Sequence, residues 1–168
     1  GKTTVVVLIG GSAVVMSDWQ DQVPAGLNAW YPGVEGGNAV ADGLFGDYNP
    51  SGKLPITYPI HEAQLPLNYS HKPTGRSDDY LNLTGEPLFP FGHGLSYSEF
   101  DYSGLKVTKA VHCTAFHVTF SMKNTGKYAA NEVVQLYMLD QIASCIIGTV
   151  RIKSVALHCK RERPVHAG

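Results

Sequence analysis

The chain has 168 residues, 43% of them hydrophobic, and a formal net charge of -1 at pH 7. This length fits one ordinary domain or two small ones. The near-neutral charge gives no general attraction to nucleic acid, and no apolar run is long enough to span a membrane. The composition therefore predicts a globular protein without nucleic-acid or membrane partners.

Metal and cofactor motifs are not found in the sequence. The three cysteines, Cys113, Cys145 and Cys159, are too few and too irregularly spaced for a disulfide framework or a zinc site. No two histidines stand at a His-x3-His spacing. Neither G-x-G-x-x-G nor G-K-[ST] follows the glycine pair Gly10-Gly11. We therefore predict no metal and no cofactor.

The first third of the chain alternates strand and helix patterns. Thr3 to Ile9 is a continuous apolar run rich in β-branched residues, which predicts a strand buried on both faces. Ser17 is predicted to cap a short helix that contains Asp18 in its first turn and ends near Gln22. A second buried strand is predicted from Ala25 to Tyr31. This order predicts parallel strands joined by helices.

The segment from Trp30 to Gly52 predicts a strand end, a turn, a helix and a second turn. A Pro-Gly break follows the two aromatics, and a helix is expected from Glu35 until Gly46 stops it. The loop before this helix lies at the carboxyl end of a strand, where ligands bind in open α/β sheets. A short edge strand is then predicted over Leu54 to Tyr58, because prolines bracket it.

The remaining chain divides into a connector and an alternating region. The connector is rich in Pro, Gly, Ser, Asn and Asp, and its aromatic residues predict a loop that packs onto a neighbour. Beyond Phe100, apolar and polar residues alternate over Leu105–Val107, Phe116–Met122 and Glu132–Leu139. Short alternating strands separated by turns are typical of an antiparallel sandwich. Fewer strands are visible than a complete sandwich requires.

Three stretches of the chain together carry a family resemblance: WYPGVEGGNAVADGLFGDYNPSGKLPITYP (30–59), PLFPFGHGLSY (87–97), and Asn124-Thr125-Gly126 with Glu132 to Tyr137. They resemble glycoside hydrolase family 3, the β-glucosidase and β-xylosidase group. The resemblance ends after Ile147. It implies a fold of α/β followed by all-β: residues 1–60 as the C-terminal part of the family's second, α/β sandwich domain, 61–98 as an ordered connector, and 99–168 as a truncated fibronectin type III-like sandwich.

The resemblance also implies the chemistry. Such enzymes hydrolyse β-linked glucosides or xylosides with retention, using two carboxyl groups. In the family the nucleophile is an aspartate on a preceding TIM barrel, and an acid/base of the second domain is usually a glutamate ahead of the strand that begins here. By this resemblance neither catalytic carboxylate falls within the chain. We therefore predict no catalytic residue, a pocket-supporting role, and no activity of the chain alone.

Two acidic residues need an alternative interpretation. The stretch VVMSDW, ending at Trp19, is similar to the family's nucleophile motif and would make Asp18 the nucleophile. However, Asp18 lies 14 residues before Pro32, within one strand–helix–strand unit, so we favour a helix cap and first-turn acid. Glu35 could contact a sugar hydroxyl, but we favour a role in bonding backbone N–H groups.

The predicted substrate-binding residues are His71, Lys72 and Arg76. Clustered donors of this kind can bond sugar hydroxyls at the rim of a pocket, and Tyr69 or Tyr80 could stack on a sugar ring. A solvated loop held by its aromatics explains the same residues. The expected partner is a β-linked glucoside or xyloside, provided that the barrel is present.

Two further hypotheses stay open. The chain could be a stand-alone carbohydrate- or protein-binding module, in which the open sheet edges pair with a partner. A small nucleotide-binding α/β protein is the weakest alternative, because the phosphate-loop motif is missing. The resemblance suggests a secreted or periplasmic protein, although the first residues do not have the pattern of a signal peptide.

Overall fold

The structure is a computed structural model that describes residues 2–69, 79, 81–109, 116–137 and 155–159. These residues form six strands, one α-helix and two short 3₁₀ helices. The strands are β1 (Val5–Ile9), β2 (Ala25–Trp30), β3 (Phe100–Lys109), β4 (Phe116–Asn124), β5 (Ala130–Val134) and β6 (Val155–Cys159). The helix α1 spans Gly36–Phe45, and the 3₁₀ helices span Gln20–Gln22 and Glu62–Gln64.

The chain divides into two compact units. Unit 1 comprises Gly1–Tyr48, Lys53–Gly94 and Gln135–Ser154, and unit 2 comprises Asn49–Gly52, Leu95–Val134 and Val155–Gly168. No helix in the described ranges has the length and hydropathy needed to cross a bilayer.

In unit 1, β1 and β2 pair in parallel, as the order of strands and helices predicted. The predicted burial of β1 on both faces is wrong, because Val5 and Ile9 are 41% and 67% exposed. Val5 lies opposite Ala25, and a register shift after Leu8 places Ile9 opposite Trp30. Trp30 has a φ of 52°, a left-handed conformation that is uncommon for a residue with a side chain. The strand therefore ends in a sharp change of direction at Trp30.

The predicted helix after β2 is confirmed as α1. Its first residue, Gly36, is buried, and a Cβ atom there would lie 2.6 Å from Cγ of Pro32. Its end is set by Gly46, which adopts the left-handed conformation with φ 91° and donates its N–H to the Asp42 carbonyl over 3.0 Å. The Pro32 turn and Gly46 thus bound the helix as the sequence indicated.

The predicted cap at Ser17 is wrong. Residues 17–19 form a turn, and only Gln20–Gln22 is helical, as a 3₁₀ helix whose N-cap position is Trp19. The Ser17 hydroxyl instead donates to the Ile60 carbonyl over 2.8 Å, across 43 residues of sequence. The Ser17 hydroxyl therefore bonds a residue that is distant in sequence and does not cap the helix.

The predicted strand over Leu54–Tyr58 is also wrong. Tyr58 forms only an isolated bridge with Phe89. Leu54 donates its N–H to His93 and accepts from Gly92, over 2.7 and 2.8 Å. The prolines inside and after this segment lack an N–H group, so a continuous ladder does not form.

Unit 2 contains the antiparallel strands that the alternating pattern predicted. β3 pairs with β4, with Phe100 opposite Asn124, and β5 pairs with β6, with Ala130 opposite Cys159. β6 lies beyond the end of the family resemblance and was not predicted. The described chain is thus a mixed, sheet-rich structure with one parallel pair and two antiparallel pairs of strands.

Candidate functional site

A cleft of about 460 Å³ opens on unit 1. This volume lies within the range of about 300–1,000 Å³ that is usual for small-molecule sites. Three aromatic rings, two carboxylates and the hydroxyls of one threonine and two tyrosines line it, together with smaller groups. The side chains that matter for its chemistry are Thr57, Tyr69, Asp79, Glu86, Phe91 and Tyr137.

The aromatic wall of the cleft is built by three rings. Tyr69 stacks on Phe91 with centroids 4.6 Å apart and planes 23° apart. Tyr137 meets Tyr69 edge-on, at 6.5 Å and 70°. The Tyr137 hydroxyl donates to Oε1 of Gln135, whose Nε2 donates to the Gly92 carbonyl over 3.1 Å. This chain of bonds holds the Tyr137 ring in place.

Burial, and secondarily Tyr69, raise the pKa of the Tyr137 hydroxyl above its ordinary value. The hydroxyl is therefore a neutral donor at physiological pH. Tyr69 and Tyr137 remain 42% and 52% exposed, so parts of both rings are accessible from the cleft.

Two carboxylates, those of Asp79 and Glu86, also line the cleft. Oδ1 of Asp79 accepts from the Thr84 hydroxyl and from the Gly85 N–H, over 3.1 and 2.8 Å. Nε2 of Gln64 donates to the Thr84 and Glu86 carbonyls over 2.8 and 3.0 Å, which anchors this loop to a 3₁₀ helix. The Glu86 carboxylate makes no hydrogen bond or ion pair with any described residue.

A buried hydroxyl also borders the cleft. Oγ1 of Thr57 is buried and has no hydrogen-bond partner among the described residues. Leaving such a group unsatisfied costs about 1–3 kcal/mol. A ligand hydroxyl or a water molecule that reached Thr57 would remove this cost.

The cleft favours some ligand classes over others. Within the described lining no residue is cationic, and the described residues contain no group of three or more His, Cys, Asp or Glu that could hold a metal. The two carboxylates repel anions. The arrangement suits a neutral, hydroxyl-bearing ligand with an apolar face.

Three predicted site residues, His71, Lys72 and Arg76, lie outside the described residues, as does Tyr80. Their role stays a prediction. Tyr69 is described and belongs to the aromatic wall. The sequence reasoning missed Asp79, Glu86, Thr57 and Tyr137, although the cluster Asn82 to Gly85 signalled a tight turn.

The two acidic candidates lie elsewhere. Asp18 is exposed in the turn before the first 3₁₀ helix, and its carbonyl accepts from Nε2 of Gln22 over 2.8 Å. Glu35 occupies the N-cap position of α1 but makes no side-chain cap bond. Its Oε2 accepts from Nδ2 of Asn38 over 2.6 Å, so the expected bond to backbone N–H groups is wrong.

His93 lies between two glycines and closes a turn that begins at Pro90. Its N–H donates to the Pro90 carbonyl over 3.1 Å, and its ring stacks on Phe89 at 4.7 Å and 25°. Burial, and then the charge of Lys53, lower the pKa of His93 below its ordinary value.

Comparison with known proteins assigns the chain. The family model described as the glycosyl hydrolase family 3 C-terminal domain matches residues 1–97. The chain belongs to glycosyl hydrolase family 3. The resemblance found in the sequence is therefore confirmed, including its placement in the C-terminal region of the family.

Curated β-glucosidases and β-xylosidases share much of the sequence. A periplasmic β-glucosidase of Salmonella typhimurium is 42% identical over 156 residues, which cover 86% of this chain and 20% of that protein. A xylan 1,4-β-xylosidase of Xylanibacter ruminicola is 41% identical over 138 residues, which cover 82% of this chain and 16% of that protein. The chain thus spans about a fifth of the length of these relatives.

Solved β-glucosidase structures share its fold. The β-glucosidase of Listeria innocua in complex with isofagomine superposes with a TM-score of 0.85 and 31% identity, over 97% of this chain and 25% of that one. A β-glucosidase of Erythrobacter marinus superposes with a TM-score of 0.78 and 43% identity, over 95% of this chain and 20% of that one.

Proposed function

We propose that this chain is the pocket-supporting C-terminal part of a retaining β-glycosidase that acts on β-linked glucosides or xylosides, and that the chain alone cleaves no glycosidic bond. The observation that carries the proposal is the likeness to the Listeria β-glucosidase. It extends over 97% of this chain but over only 25% of that enzyme.

The proposal assigns a part to each region. Residues 1–60 form the end of the α/β sandwich domain, 61–98 form the connector, and 99–168 begin a fibronectin type III-like sandwich. The parallel pair β1–β2 with α1 supports the first assignment. The antiparallel pairs β3–β4 and β5–β6 support the last.

The position of Asp18 supports the absence of catalysis. Retaining glycosidases need two carboxyl groups about 5–5.5 Å apart, on either side of the scissile bond. Asp18 is exposed and does not line the cleft. It follows Met16, whose carbonyl accepts from Trp19 and Gln20 over 3.2 and 2.9 Å, so a local turn explains the Ser-Asp-Trp sequence.

Two preparations test this role. The first is the purified chain, and the second is the Salmonella β-glucosidase in which the matching C-terminal segment is replaced by this chain. We expect the chimera, but not the chain alone, to hydrolyse a nitrophenyl β-glucoside. Hydrolysis by the chain alone that is lost in Asp18→Asn would overturn the proposal and make Asp18 the nucleophile.

The chimera also tests the predicted sugar contacts. We propose that His71, Lys72 and Arg76 donate to sugar hydroxyls at the mouth of the pocket. A charge-assisted hydrogen bond is worth about 1.5–3 kcal/mol, so replacing Lys72 or Arg76 with Ala should raise KM at least about tenfold. Lys106→Ala, at an exposed position of β3, is the control and should leave KM unchanged.

A further inference from the structure

Three stretches of the chain have the order Asn-x-Ser/Thr, which is the acceptor motif for an N-linked glycan. The motif excludes proline at its middle position, so Asn49-Pro50-Ser51 is not an acceptor. Asn68-Tyr69-Ser70 and Asn82-Leu83-Thr84 both match it. A glycan is bulky and hydrophilic and has to project from the surface of the folded protein. The surroundings of each asparagine therefore decide which of the two can carry one.

Asn82 lies in an exposed bend of unit 1. The residue itself is exposed, and the side chain of its neighbour Leu81 is entirely accessible to solvent. The Asn82 side chain makes no hydrogen bond with any described residue. A group attached to its Nδ2 atom would therefore break no bond in the described part of the structure and would extend into solvent.

The loop that carries Asn82 is anchored by other residues. Oδ1 of Asp79 accepts from the Thr84 hydroxyl over 3.1 Å and from the Gly85 N–H over 2.8 Å. Nε2 of Gln64 donates to the Thr84 carbonyl over 2.8 Å. These bonds hold the base of the loop and leave its exposed bend unconstrained by them. The loop can therefore carry a bulky group at Asn82 and keep its anchors.

The second motif has different surroundings. Asn68 lines the cleft of unit 1, and the next residue, Tyr69, stacks on Phe91 with ring centroids 4.6 Å apart. A glycan on Asn68 would have to leave through the mouth of the cleft, beside the stacked rings. The structure therefore distinguishes two motifs that are equivalent in the sequence.

We propose that Asn82 is an N-glycosylation site of a chain that enters a secretory pathway with an oligosaccharyltransferase, and that Asn68 is not used. The co-substrate is an oligosaccharide linked to a lipid diphosphate. Nδ2 of Asn82 loses a proton and forms a bond to the anomeric carbon of the first sugar. The bond from that carbon to the diphosphate oxygen breaks, and the lipid diphosphate leaves with the electron pair. This site is independent of the pocket-supporting role.

Expression of the full chain behind a cleavable secretory leader in a eukaryotic host tests the site. Peptide N-glycosidase releases the glycan and leaves an aspartate at the attachment position, which peptide mass spectrometry identifies. We expect one glycan, at Asn82. Protein retained inside the secretory pathway is treated in the same way, so the result does not require export. A chain without a glycan, or one that carries its glycan at Asn68, would overturn the proposal.

Variants of the motif separate the acceptor from its surroundings. Asn82→Gln removes the acceptor, and Leu83→Pro keeps Asn82 but breaks the motif, so both should lose the glycan completely. Thr84→Ser keeps the hydroxyl that the motif requires and should retain the glycan. The matched control, Asn68→Gln, should also retain it. A glycan of unchanged mass in Asn82→Gln would overturn the proposal.

The folded chain should accommodate the glycan, because Asn82 is exposed and its side chain is not bonded to a described residue. We therefore expect the same urea denaturation midpoint before and after enzymatic deglycosylation. A lower midpoint for the glycosylated form would overturn the geometric basis of the proposal. An inactive chimera would count against the pocket-supporting role alone, since the attachment of a glycan at Asn82 does not depend on catalysis.

Discussion

The two units bury different kinds of side chain. Among the described residues, unit 1 buries the apolar Met16 and the ring of Tyr58, whereas unit 2 buries Ala130 together with three polar side chains. The polar set is Ser98, Asn124 and Glu132. The same short chain therefore uses two ways of holding its strands and loops together.

In unit 1, Tyr58 connects its own segment with β2 through its side chain and with Phe89 through its backbone. Tyr58 is only 2% exposed, and its hydroxyl accepts from Nδ2 of Asn28, on β2, over 2.6 Å. Its ring meets Trp30 edge-on at 6.5 Å and 76°. Its backbone N–H donates to the Phe89 carbonyl over 2.9 Å. Loss of the ring would remove both of its contacts to β2 and leave the backbone bond to Phe89 in place.

In unit 2, short polar side chains form a network around the turn that contains Asn49. Oδ1 of Asn49 accepts from the Ser96 hydroxyl and the Tyr97 N–H, over 2.9 and 2.8 Å. Its Nδ2 donates to the Ser98 hydroxyl over 3.2 Å. Ser98 and Asn124 both donate to the Tyr128 carbonyl, over 2.7 and 2.8 Å.

The difference predicts how each unit responds to substitution. Apolar contacts are non-directional, so a packed core tolerates a change that keeps volume. A buried hydrogen bond is directional, and removing one partner leaves the other unsatisfied. Unit 1 should therefore be sensitive to lost volume and unit 2 to lost polar groups.

The largest effect is expected from Tyr58→Ala. Removing a buried aromatic ring costs about 3–5 kcal/mol of the free energy of unfolding. Tyr58→Phe keeps the ring and loses the bond to Asn28, so it should cost only about 1 kcal/mol. Urea denaturation followed by the fluorescence of Trp19 and Trp30, which both lie in unit 1, measures this. If both variants lost similar amounts of unfolding free energy, the buried ring of Tyr58 would not be the main stabilising group of unit 1.

Next comes Asn124→Ala in unit 2. The Tyr128 carbonyl would lose one donor, and the Gly126 N–H would lose its acceptor, Oδ1 of Asn124, at 2.9 Å. We expect a loss of about 2–3 kcal/mol in the free energy of unfolding. The matched control, Asn82→Ala at an exposed position, should stay within about 0.5 kcal/mol. Urea denaturation followed by far-ultraviolet circular dichroism compares the two variants. Equal denaturation midpoints would show that the hydrogen-bond network does not stabilise unit 2.

An alkaline titration tests a second polar contact of unit 2, between Tyr102 and Glu132. Burial, the charge of Glu132 and a hydrogen bond to it raise the pKa of Tyr102 from 10.0 to about 12. The unfolded chain ionises this hydroxyl first, so its contribution to stability is present below pH 10 and is lost as pH rises toward 12. In an alkaline titration followed by tyrosinate absorbance, one tyrosine should ionise well above pH 10. Glu132→Gln should lower the pKa of this tyrosine toward 10, whereas Glu99→Gln should leave it unchanged.

The smallest effect on stability is expected from the protonation of His93, in unit 1, as pH falls. Because the pKa of His93 is lowered below 6.5, the unfolded state binds a proton before the folded state does. The stabilisation is present above pH 6.5 and is lost as pH falls through the pKa values of the unfolded and folded states. The pKa of His93, measured by NMR titration, should rise in Lys53→Met and stay unchanged in Lys2→Met.

The features that could be predicted from the sequence are those with a local cause. The strands β1 and β2 and the helix α1 follow from apolar runs, a Pro-Gly break and Gly46. The cap at Ser17 was wrong because its partner, Ile60, is remote in sequence. The strand at Leu54–Tyr58 was wrong because proline spacing does not show whether a ladder forms.

The cleft was harder to predict than the strands. Tyr69 was recognised as a possible stacking residue because it is an aromatic in a polar loop. Thr57, Glu86 and Tyr137 come together only through folding, since 80 residues separate the first from the last. A carboxylate in a turn cluster has the same pattern whether it faces solvent or a ligand, so the sequence alone did not select Glu86.

The close approach of Pro32 to the start of α1 makes the adjacent glycines unequal. A side chain at position 36 would collide with the proline ring, whereas nothing lies within 4 Å of a Cβ atom at Gly37. A saturation library over this loop should therefore accept many residues at Gly37 and almost none at Gly36. Labels or cross-linkers intended for the carboxyl end of β2 are best attached through Gly37→Cys.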